Sequence, residues 1–314
     1  MGLTVGVDIG GTKIAAGVVD DSGTILAVER ETTPATDPDA IADAVAATVH
    51  RLRADHVIEA VGIGAAGFID AERATVLFAP NISWVGEPLA EHVKTRVQLP
   101  VVVENDANAA AWGEFRFGAG RDVQDLLLIT VGTGIGGGIV TGGRLYRGAQ
   151  GLAAEVGHMR MVAAGVRCGC GQYGCWEQYA SGRALVREAH DRLDSELPEA
   201  LPLAGVVGRD RDQVTGPMIT EQAHAGDPMC IALLVDVGRW LGEGIASLTA
   251  VLDPAVVVIG GGVAAAGELL LEPARHALVR TLPAATHRKN PDLRLAALGN
   301  AAGMIGAADL ARQP

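Results

Sequence analysis

The chain has 314 residues, of which 25 are lysine or arginine and 37 are aspartate or glutamate, so its formal net charge is −12. A chain of this length is long enough for two domains, and 49% apolar residues with 42 glycines are typical of a folded α/β protein. The negative charge argues against a nucleic-acid binder, because an acidic surface repels phosphate backbones.

The first third of the chain predicts alternating strands and helices, from short apolar runs and from apolar residues at helical spacing. One helix has a clear start signal, since Thr36 or Asp37 can cap it and Pro38 occupies its first turn. The predicted strands are Leu3–Val7, Ile14–Val19, Thr24–Glu29, Val57–Ile63 and Val101–Val103, and a further helix is predicted near Pro88–Val97. This mixture predicts a layered α/β fold.

The second part of the chain continues this pattern beyond a boundary near Gly118–Arg121. Its predicted elements are helices at Pro228–Leu252, Glu268–Leu282 and Ala301–Ala311 and a buried strand at Val256–Ile259. We therefore expect an N-terminal α/β domain at 1–118 and a C-terminal α/β domain at 119–300. The sequence leaves open whether the last helix, within 301–314, packs on the first domain.

The uncharged run Leu126–Gly143 has the length of a membrane span, but it is rich in glycine and ends in a turn. We interpret it as two buried strands joined by a glycine loop. The chain opens on a strand-like run without a signal-peptide pattern. Together these features predict a cytoplasmic protein without a membrane partner.

An internal repeat relates the two parts of the chain. The aligned residues are Gly11, Thr12, Ile14 and Gly17 in the first copy and Gly132, Thr133, Ile135 and Gly138 in the second. In both copies an apolar strand leads into a glycine-rich turn, a second strand, and a further turn before a third strand. The repeat predicts a duplicated fold with a cleft between two similar domains.

The first glycine turn, Asp8–Lys13, can bind phosphate. Gly10 and Gly11 let backbone N–H groups approach a ligand closely, and Thr12 and Lys13 add hydrogen-bond donors. The Asp8 carboxylate could hold a magnesium ion or its water. An ordinary hairpin is the alternative, and the spacing is not that of a Walker A loop.

The second glycine turn, Gly132–Gly138, matches the dinucleotide pattern G-x-G-x-x-G. A dinucleotide site would need a helix after this pattern, whereas a strand and a turn follow it here. The dinucleotide interpretation therefore fails. A phosphate-contacting turn between two strands remains, and Gly132, Thr133 and Gly134 are its candidate contacts.

The segment Glu104–Asn108 follows a buried strand and opens an alanine-rich helix. Asn105 or Asp106 can serve simply as the helix N-cap. Alternatively, these side chains face the predicted cleft and hold ligand hydroxyls, in which case a carboxylate there can accept a hydroxyl proton during phosphoryl transfer.

A metal site is the most specific signal in the sequence. One imidazole and three thiols come from His158, Cys168, Cys170 and Cys175, with glycines between them. This set predicts a closed tetrahedral zinc site with a structural role. Redox chemistry is less favoured, because Cys-x-Cys lacks the usual Cys-x-x-Cys spacing.

Two acidic residues flank this metal site, and a fourth cysteine lies far from it. Glu155 precedes His158 by one helical turn, and Glu177 follows Cys175 closely. Metal binding would hold the two carboxylates and the imidazole as a fixed ring of acceptors, which suits a ligand with many hydroxyl groups. Cys230 stands in an apolar stretch and is predicted to be a small buried apolar residue.

Taken in order, these motifs resemble the ROK sugar kinases (repressor, open reading frame, kinase) of the actin/hexokinase-like superfamily. The resemblance covers nearly the whole chain and is strongest to the ATP-dependent bacterial glucokinases of that family. The matching segments are Asp8–Lys13, Glu104–Ala110, Gly132–Gly138, Glu155–His158, Cys168–Glu177 and Ile259–Gly262. One departure is that Ala65-Ala66 precede Gly67, where the family often has a proline.

The resemblance implies a duplicated, ribonuclease H-like two-domain fold and a role for each matched residue. It implies that Asp106 is the general base for the sugar 6-hydroxyl. The implied hexose contacts are Gly67, Asn81, Asn105, Glu155, His158 and Glu177, with His158 also binding zinc. The implied nucleotide contacts are Asp8, Gly10, Gly11, Thr12, Lys13, Gly132, Thr133, Gly134, Gly261 and Gly262. The resemblance further implies that glucose and ATP with Mg²⁺ are the substrates and that Zn²⁺ has a structural role. We also expect a homodimer or homotetramer.

Alternatives within the same family stay open at this point. Fructose, mannose, allose or N-acetylmannosamine could replace glucose, since discrimination at single ring positions depends on fine geometry. A non-catalytic sugar sensor is a further alternative. A repressor would need a DNA-binding domain ahead of Asp8, for which the sequence leaves no room. Polyphosphate as donor would call for a basic groove.

Overall fold

The computed structural model describes residues 2–79, 82–195, 201–208 and 211–313. They form two compact units. Unit 1 comprises Met1–Leu128, Gly137–Ala154 and Ala296–Pro314, and unit 2 comprises Ile129–Gly136 and Glu155–Leu295. The passage from one unit to the other thus takes place within strands as well as in loops.

The elements have the following bounds. The strands are β1 (Leu3–Ile9), β2 (Lys13–Val19), β3 (Ile25–Thr32), β4 (Ile58–Ala65), β5 (Phe68–Ile69), β6 (Val76–Phe78), β7 (Val85–Glu87), β8 (Val101–Asn105), β9 (Leu126–Val131), β10 (Ile135–Thr141), β11 (Arg144–Leu145), β12 (Val256–Gly260) and β13 (Asp292–Leu295). The α-helices are α1 (Pro38–Arg53), α2 (Leu89–Val97), α3 (Asp106–Phe117), α4 (Glu177–Ala180), α5 (Gly182–Asp194), α6 (Leu201–Val207), α7 (Gly216–His224), α8 (Pro228–Leu252), α9 (Glu268–Thr281) and α10 (Ala302–Leu310).

The sheet of unit 1 has the strand order β3-β2-β1-β4-β8. Strand β1 is antiparallel to β2 and parallel to β4, which is in turn parallel to β8. Its central strands are almost fully buried, and one core joins them to the apolar faces of α1 and α2. Asp37 caps α1 by accepting a hydrogen bond from the Ala40 N–H, so the start predicted for this helix is confirmed.

Helix α10 lies on the sheet of unit 1 at positions where glycines remove the side chain. A β-carbon on Gly6 would overlap the Met304 carbonyl, and one on Gly62 would overlap the Ala307 carbonyl. The helix is also tied to α3, because the Trp112 indole donates to the buried Asp309 carboxylate at 2.8 Å. The C-terminal segment therefore belongs to unit 1.

The second five-stranded sheet has the order β11-β10-β9-β12-β13. Strand β10 is antiparallel to β11, and β12 is parallel to β13. The order repeats that of the first sheet, with β9, β10 and β11 in the places of β1, β2 and β3. This topology agrees with the internal sequence repeat and with the predicted duplicated α/β fold.

Helix α8 of unit 2 has the bounds predicted from the sequence, with Asp227 as its N-cap. It packs closely against α9, because a β-carbon on Gly238 would lie 2.6 Å from the Leu270 carbonyl oxygen. Among the described residues, no helix is both long and apolar enough to cross a membrane.

A small antiparallel sheet, β5-β6-β7, was not predicted from the sequence. Its strands have only two or three residues, too few for a period to be visible. The sheet begins directly after Gly67, whose φ of 145° lies outside the range that residues with a side chain readily adopt. The turn that carries a predicted hexose contact is thus part of an ordered element.

Candidate active site

Asp106, the predicted general base, and Asp8, a predicted nucleotide contact, lie at one edge of the unit 1 sheet. Asp8 is near the end of β1, and Asp106 follows the last residue of β8. In the register of the parallel strands, Asp8 pairs with Gly64 and Gly64 pairs with Glu104. The carboxyl ends of parallel strands therefore bring these residues together, at the edge where α/β proteins bind ligands.

Asn105 caps α3, as the simpler interpretation of this segment held. Its Oδ1 accepts hydrogen bonds from the N–H groups of Ala107 at 2.9 Å and Asn108 at 3.0 Å. Its Nδ2 donates to the Gly67 carbonyl at 3.1 Å. The cap thus joins two predicted hexose contacts, which are 38 residues apart in sequence.

Asp106 and Asp8 hold their protons more tightly than free carboxylic acids. Burial raises the pKa of Asp106, against the opposing effect of a hydrogen bond from the Ala107 N–H at 2.9 Å. Burial, followed by the charge of Asp106, raises the pKa of Asp8 from 3.8 to about 6, although Lys13 opposes the shift. A carboxylate with a raised pKa is a better proton acceptor near neutral pH.

The first glycine turn is a tight hairpin with an exposed tip. The Gly10 N–H donates to the Lys13 carbonyl at 3.0 Å, and the Thr33 hydroxyl donates to the Gly10 carbonyl at 2.7 Å. Gly11, Thr12 and Lys13 are exposed. The hairpin and the phosphate-binding interpretations are therefore compatible, since the hairpin presents the proposed donors to solvent.

Gly132, Thr133 and Gly134 of the second glycine turn lie in unit 2, and Gly132 contacts the start of α5. The Gly182 N–H donates to the Gly132 carbonyl at 2.8 Å, and the Gly132 N–H donates to the Gly134 carbonyl at 3.0 Å. A β-carbon on Gly132 would meet no atom within 4 Å. The glycine is thus not required by packing against the described residues, and its bare backbone faces open space.

A cavity of about 770 Å³ opens beside this turn, entirely within unit 2. Its wall is formed by Gly132, Thr133, Gly182, Arg183, Val186, Arg187, His190, Val214, Thr215, Gly216, Pro217, Gly262 and Val263. Apolar walls beside arginine side chains and bare backbone suit a flat aromatic ring that carries an anionic group. Three of the nucleotide contacts predicted from the sequence thus line one cavity.

Most residues of the cavity wall were not predicted from the sequence. The residues of α5 and of the start of α7 belong to no motif, because segments far apart in sequence assemble the cavity. Gly261 does not line it but has a local reason to be glycine. Its φ is 86°, and a β-carbon there would lie 2.5 Å from the Val131 carbonyl oxygen.

The predicted metal ligands come together in unit 2. The ligand atoms of His158, Cys168, Cys170 and Cys175 all lie within 4.8 Å of one another. The Cys168 Sγ is 3.7 Å from the His158 Nδ1, and the Cys170 and Cys175 sulfurs are 3.6 Å apart. These separations match the edge of about 3.8 Å of a tetrahedron with metal–sulfur bonds of about 2.3 Å. The cluster can therefore bind a metal ion.

Glu177 joins the metal cluster to the second glycine turn. Its Oε1 accepts from the Cys168 thiol at 3.1 Å, and a β-carbon on Gly134 would overlap its Oε2. Glu155 is exposed and precedes a short 3-10 helix, in which the His158 N–H donates to the Glu155 carbonyl at 3.1 Å. The Glu177 carboxylate thus contacts the metal cluster, and Glu155 is joined to the cluster residue His158 through its backbone.

The predicted site residues fall into two groups, one in each unit. Unit 1 contains Asp8, Gly10, Gly11, Thr12, Lys13, Gly67, Asn105 and Asp106. Unit 2 contains Gly132, Thr133, Gly134, Glu155, His158, Cys168, Cys170, Cys175, Glu177, Gly261 and Gly262. Asn81, the remaining predicted hexose contact, lies outside the described residues.

Known proteins resemble the chain over its full length. It is 52% identical over 314 residues to a glucokinase of Streptomyces coelicolor, covering 100% of this chain and 99% of that protein. A crystal structure of a ROK family glucokinase from Streptomyces griseus, in complex with glucose and AMPPNP, superimposes with a TM-score of 0.90 at 53% identity and covers 100% of both chains. An N-acetylmannosamine kinase of Escherichia coli O139:H28 is 36% identical over 315 residues, with 98% of each chain covered.

The fold agrees with these similarities, because the solved glucokinase shares its architecture across every residue of the chain. The pattern that defines the ROK family matches residues 4–314. The chain therefore belongs to the ROK family.

Proposed function

We propose that this protein is a glucokinase, which transfers the γ-phosphoryl group of ATP to the 6-hydroxyl of glucose. The observation that carries the proposal is the 52% identity, over the full length, to the glucokinase of Streptomyces coelicolor. The structural similarity to a glucokinase in complex with glucose and an ATP analogue supports it independently.

Asp106 is the general base of the proposed reaction. Its carboxylate takes the proton of the sugar 6-hydroxyl while the 6-oxygen attacks the γ-phosphorus in line. The raised pKa of Asp106 supports this role, since a more basic carboxylate accepts the proton more readily. The position of Asp106 in the first turn of α3, directly after the Asn105 cap, holds its backbone in a fixed place.

The hexose is held by side chains that accept and donate hydrogen bonds to hydroxyl groups. The proposed contacts are the Gly67 backbone, Asn81, Asn105, Glu155, His158 and Glu177. Sugar hydroxyls both donate and accept, so carboxylates, an amide and an imidazole together can satisfy them. The bond between Asn105 and the Gly67 carbonyl supports the assignment of this pair to one site.

The adenosine part of ATP occupies the cavity of unit 2. Val186, Val214 and Val263 would pack on the base, and the bare backbone at Gly132–Gly134 would approach the phosphates. The exposed turn at Gly10–Lys13 would supply further phosphate contacts, beside Asp8. Mg²⁺ bound with ATP would neutralise part of the phosphate charge.

We assign the His/Cys₃ cluster to zinc with a structural role. Four soft or borderline ligands at tetrahedral separations suit Zn²⁺, and a full ligand set leaves no open position for catalysis. Because the His158 Nδ1 faces Cys168, the Nε2 of the same ring is available for a sugar hydroxyl. The metal would thus hold the loop between Glu155 and Glu177 in a shape that binds hexose.

The proposal is tested by measuring ADP release from ATP and Mg²⁺ with glucose, mannose, fructose and N-acetylmannosamine. We expect the highest kcat/KM with glucose. A higher kcat/KM with N-acetylmannosamine would keep the mechanism but assign the protein to the activity of the Escherichia coli relative. No turnover with any of these sugars, from folded protein loaded with metal, would contradict the proposal and favour a sugar sensor.

The expectation of a homodimer or homotetramer stays a prediction. Light scattering on the purified protein tests it, and a monomer at micromolar concentration would contradict it.

A further inference from the structure

Glu104 stands beside the proposed catalytic residue Asp106, but its own side chain is buried. It is the penultimate residue of β8, two positions before Asp106, and only 2% of it is exposed. From its position in the sequence, Glu104 is expected, like Asn105 and Asp106, to hold ligand hydroxyls. The structure instead turns its carboxylate into the interior of unit 1.

Both oxygens of this carboxylate have specific partners. The Oε1 accepts hydrogen bonds from the Asn105 N–H and from the Asn108 Nδ2, each at 3.1 Å. The Oε2 accepts from the Arg147 Nε at 2.5 Å and lies 3.6 Å from the Arg73 Nε. We call Glu104, Arg73, Arg147 and Asn108 the Glu104 network. It contacts the chain on both sides of Asp106.

Arg147 carries the network to a second loop. The Ala153 N–H donates to the Arg147 carbonyl at 3.0 Å, so the chain from 147 to 153 closes on itself. Within this loop, Gly151 lies against the backbone of β5, where a β-carbon on it would be 2.5 Å from the Ile69 carbonyl oxygen. Strand β5 in turn begins after Gly67, the residue that accepts from Asn105.

These contacts form a closed circuit within unit 1. It runs from Glu104 through Arg147 and its loop to β5, and from Gly67 through Asn105 back to the start of α3. Every member has at least one fixed partner, so a displacement of any one moves the turn that carries Asp106. The loop of Arg147 also leads directly, along the chain, to Glu155.

Because the Glu104 network consists largely of charged groups, it is a poor source of stability. Two arginines share one carboxylate, and burial, together with the positive charge of Arg147, lowers the pKa of Arg73 although Glu104 opposes this. Buried ion pairs contribute little to stability in comparison with apolar side chains of similar size. A network of this kind is better explained by the geometry that it imposes.

We propose that Glu104 is a positioning residue, which holds Asn105 and Asp106 at the distance from Gly67 that the hexose requires. The inference rests on the proposed hexose kinase function and adds to it a residue that touches no ligand. No residue of the Glu104 network lines the cavity proposed for adenosine, so we expect Glu104 to act mainly on the hexose.

The test is Glu104→Gln, which keeps the size of the side chain but removes its charge. We expect kcat/KM for glucose to fall by about 10²-fold, the effect of a misplacement on the order of 1 Å. The KM for ATP should stay within about twofold, because unit 2 is unchanged. Calorimetric titration with glucose, without nucleotide, should show weaker binding.

Glu114→Gln is the matched control. Glu114 is a fully buried carboxylate on α3 that accepts from the backbone N–H groups of Ala119, Ala297 and Leu298 at 2.8 to 3.0 Å. Its loss should lower the melting temperature without changing kcat/KM for glucose. If Glu104→Gln affects glucose no more than Glu114→Gln does, the positioning role is wrong.

A double variant separates positioning from folding. Glu104→Gln alone leaves two half-buried arginines without a carboxylate, so its melting temperature should fall. Adding Arg147→Met removes one of these charges and should restore part of the melting temperature, while kcat/KM for glucose stays low. Recovery of kcat/KM together with the melting temperature would overturn the inference. If Glu104→Gln does not fold, Arg147→Met alone provides the test. It removes one partner of Glu104, so we expect it to weaken glucose binding as well.

The two proposals fail in different ways. Wild-type protein that shows no turnover with glucose contradicts the proposed function. In that case the calorimetric titrations still decide on Glu104, since unchanged glucose binding in Glu104→Gln excludes a positioning role. Wild-type protein that turns over glucose, with a Glu104→Gln variant of equal kcat/KM, contradicts only the inference on Glu104.

Discussion

The two five-stranded sheets have the same strand order but carry different chemistry at their strand ends. In the internal repeat, Asp8 of β1 corresponds to Ile129 of β9, and Lys13 corresponds to Gly134. At these two positions unit 1 thus has a carboxylate and an ammonium group, where unit 2 has an apolar side chain and bare glycine backbone. Unit 2 has instead the cavity and the His/Cys₃ cluster.

This difference separates two functions, proton transfer and phosphate binding, whose electrostatic requirements conflict. A carboxylate that accepts a proton repels a polyphosphate, whereas neutral backbone N–H groups attract one. A duplicated fold can give the base to one copy and the adenosine cavity to the other. The comparison is therefore testable, since a substitution of Asp106 should act on the hexose step and one at the cavity should act on ATP.

The largest effect is expected from Asp106→Asn. It removes the proposed base from unit 1 while the Asn105 cap keeps α3 in place. We expect kcat to fall by about 10²–10⁴-fold, the range of general-base catalysis, with glucose binding retained. Steady-state kinetics and calorimetry measure both quantities, and a kcat within tenfold of wild type would contradict the role of Asp106.

The next effect is expected from Cys170→Ser, which leaves the metal cluster of unit 2 with three strong ligands. Because metal binding holds this loop, metal content and stability should fall together, with a decrease in melting temperature of more than about 4 °C. Elemental analysis and thermal denaturation test this. Cys230→Ser is the control, since Cys230 is fully buried outside the cluster, and burial raises the pKa of its thiol to about 12. A metal-free Cys170→Ser variant of unchanged stability would contradict the structural role.

A smaller effect is expected from Gly132→Ala. The added methyl group meets open space in the protein, so the melting temperature should not change. If the phosphates approach this backbone closely, the KM for ATP should rise by about tenfold, the effect of about 1.4 kcal/mol. Gly205→Ala also meets open space but does not line the cavity, and it should leave the KM for ATP unchanged. Equal behaviour of the two variants would place the phosphates elsewhere.

A separate prediction concerns Asp8→Asn and is measured on the stability of the nucleotide-free protein. The pKa of Asp8 is about 6 in the native state, against an ordinary value of 3.8. Below pH 3.8 the carboxyl is neutral in both the native and the unfolded state. Between pH 3.8 and 6 ionisation increasingly favours the unfolded state, and above about pH 6 the full destabilisation is present.

Replacing Asp8 by a neutral residue should therefore raise the melting temperature at pH 7.5. The expected gain is about 3 kcal/mol, or roughly 6–12 °C, and it should disappear as the pH falls below 4. Thermal denaturation at both pH values measures it. A gain that is equal at pH 4 and pH 7.5 would show that the charge of Asp8 is not its cause.

Elements with a strong local signal could be predicted from the sequence. Helix α8 has a cap, a proline in its first turn and a long apolar face, so its bounds follow from local rules. The strands β5, β6 and β7 could not be predicted, because two or three residues carry no period. The cavity wall was missed for a different reason, since Arg183 and Val214 meet only after folding.

The sequence by itself predicted the metal cluster, and its resemblance to the ROK kinases implied the identity of the proposed base. Cys168, Cys170 and Cys175 lie within one short loop, where glycine turns alone bring the sulfurs together. The tertiary structure decided the rest of the site, such as the bond from Asn105 to Gly67 and the turn of Glu104 towards Arg147. These contacts join segments that are 38 and 43 residues apart. Local spacing cannot encode them, because their geometry depends on the register of the sheet and on the packing of the loops around it.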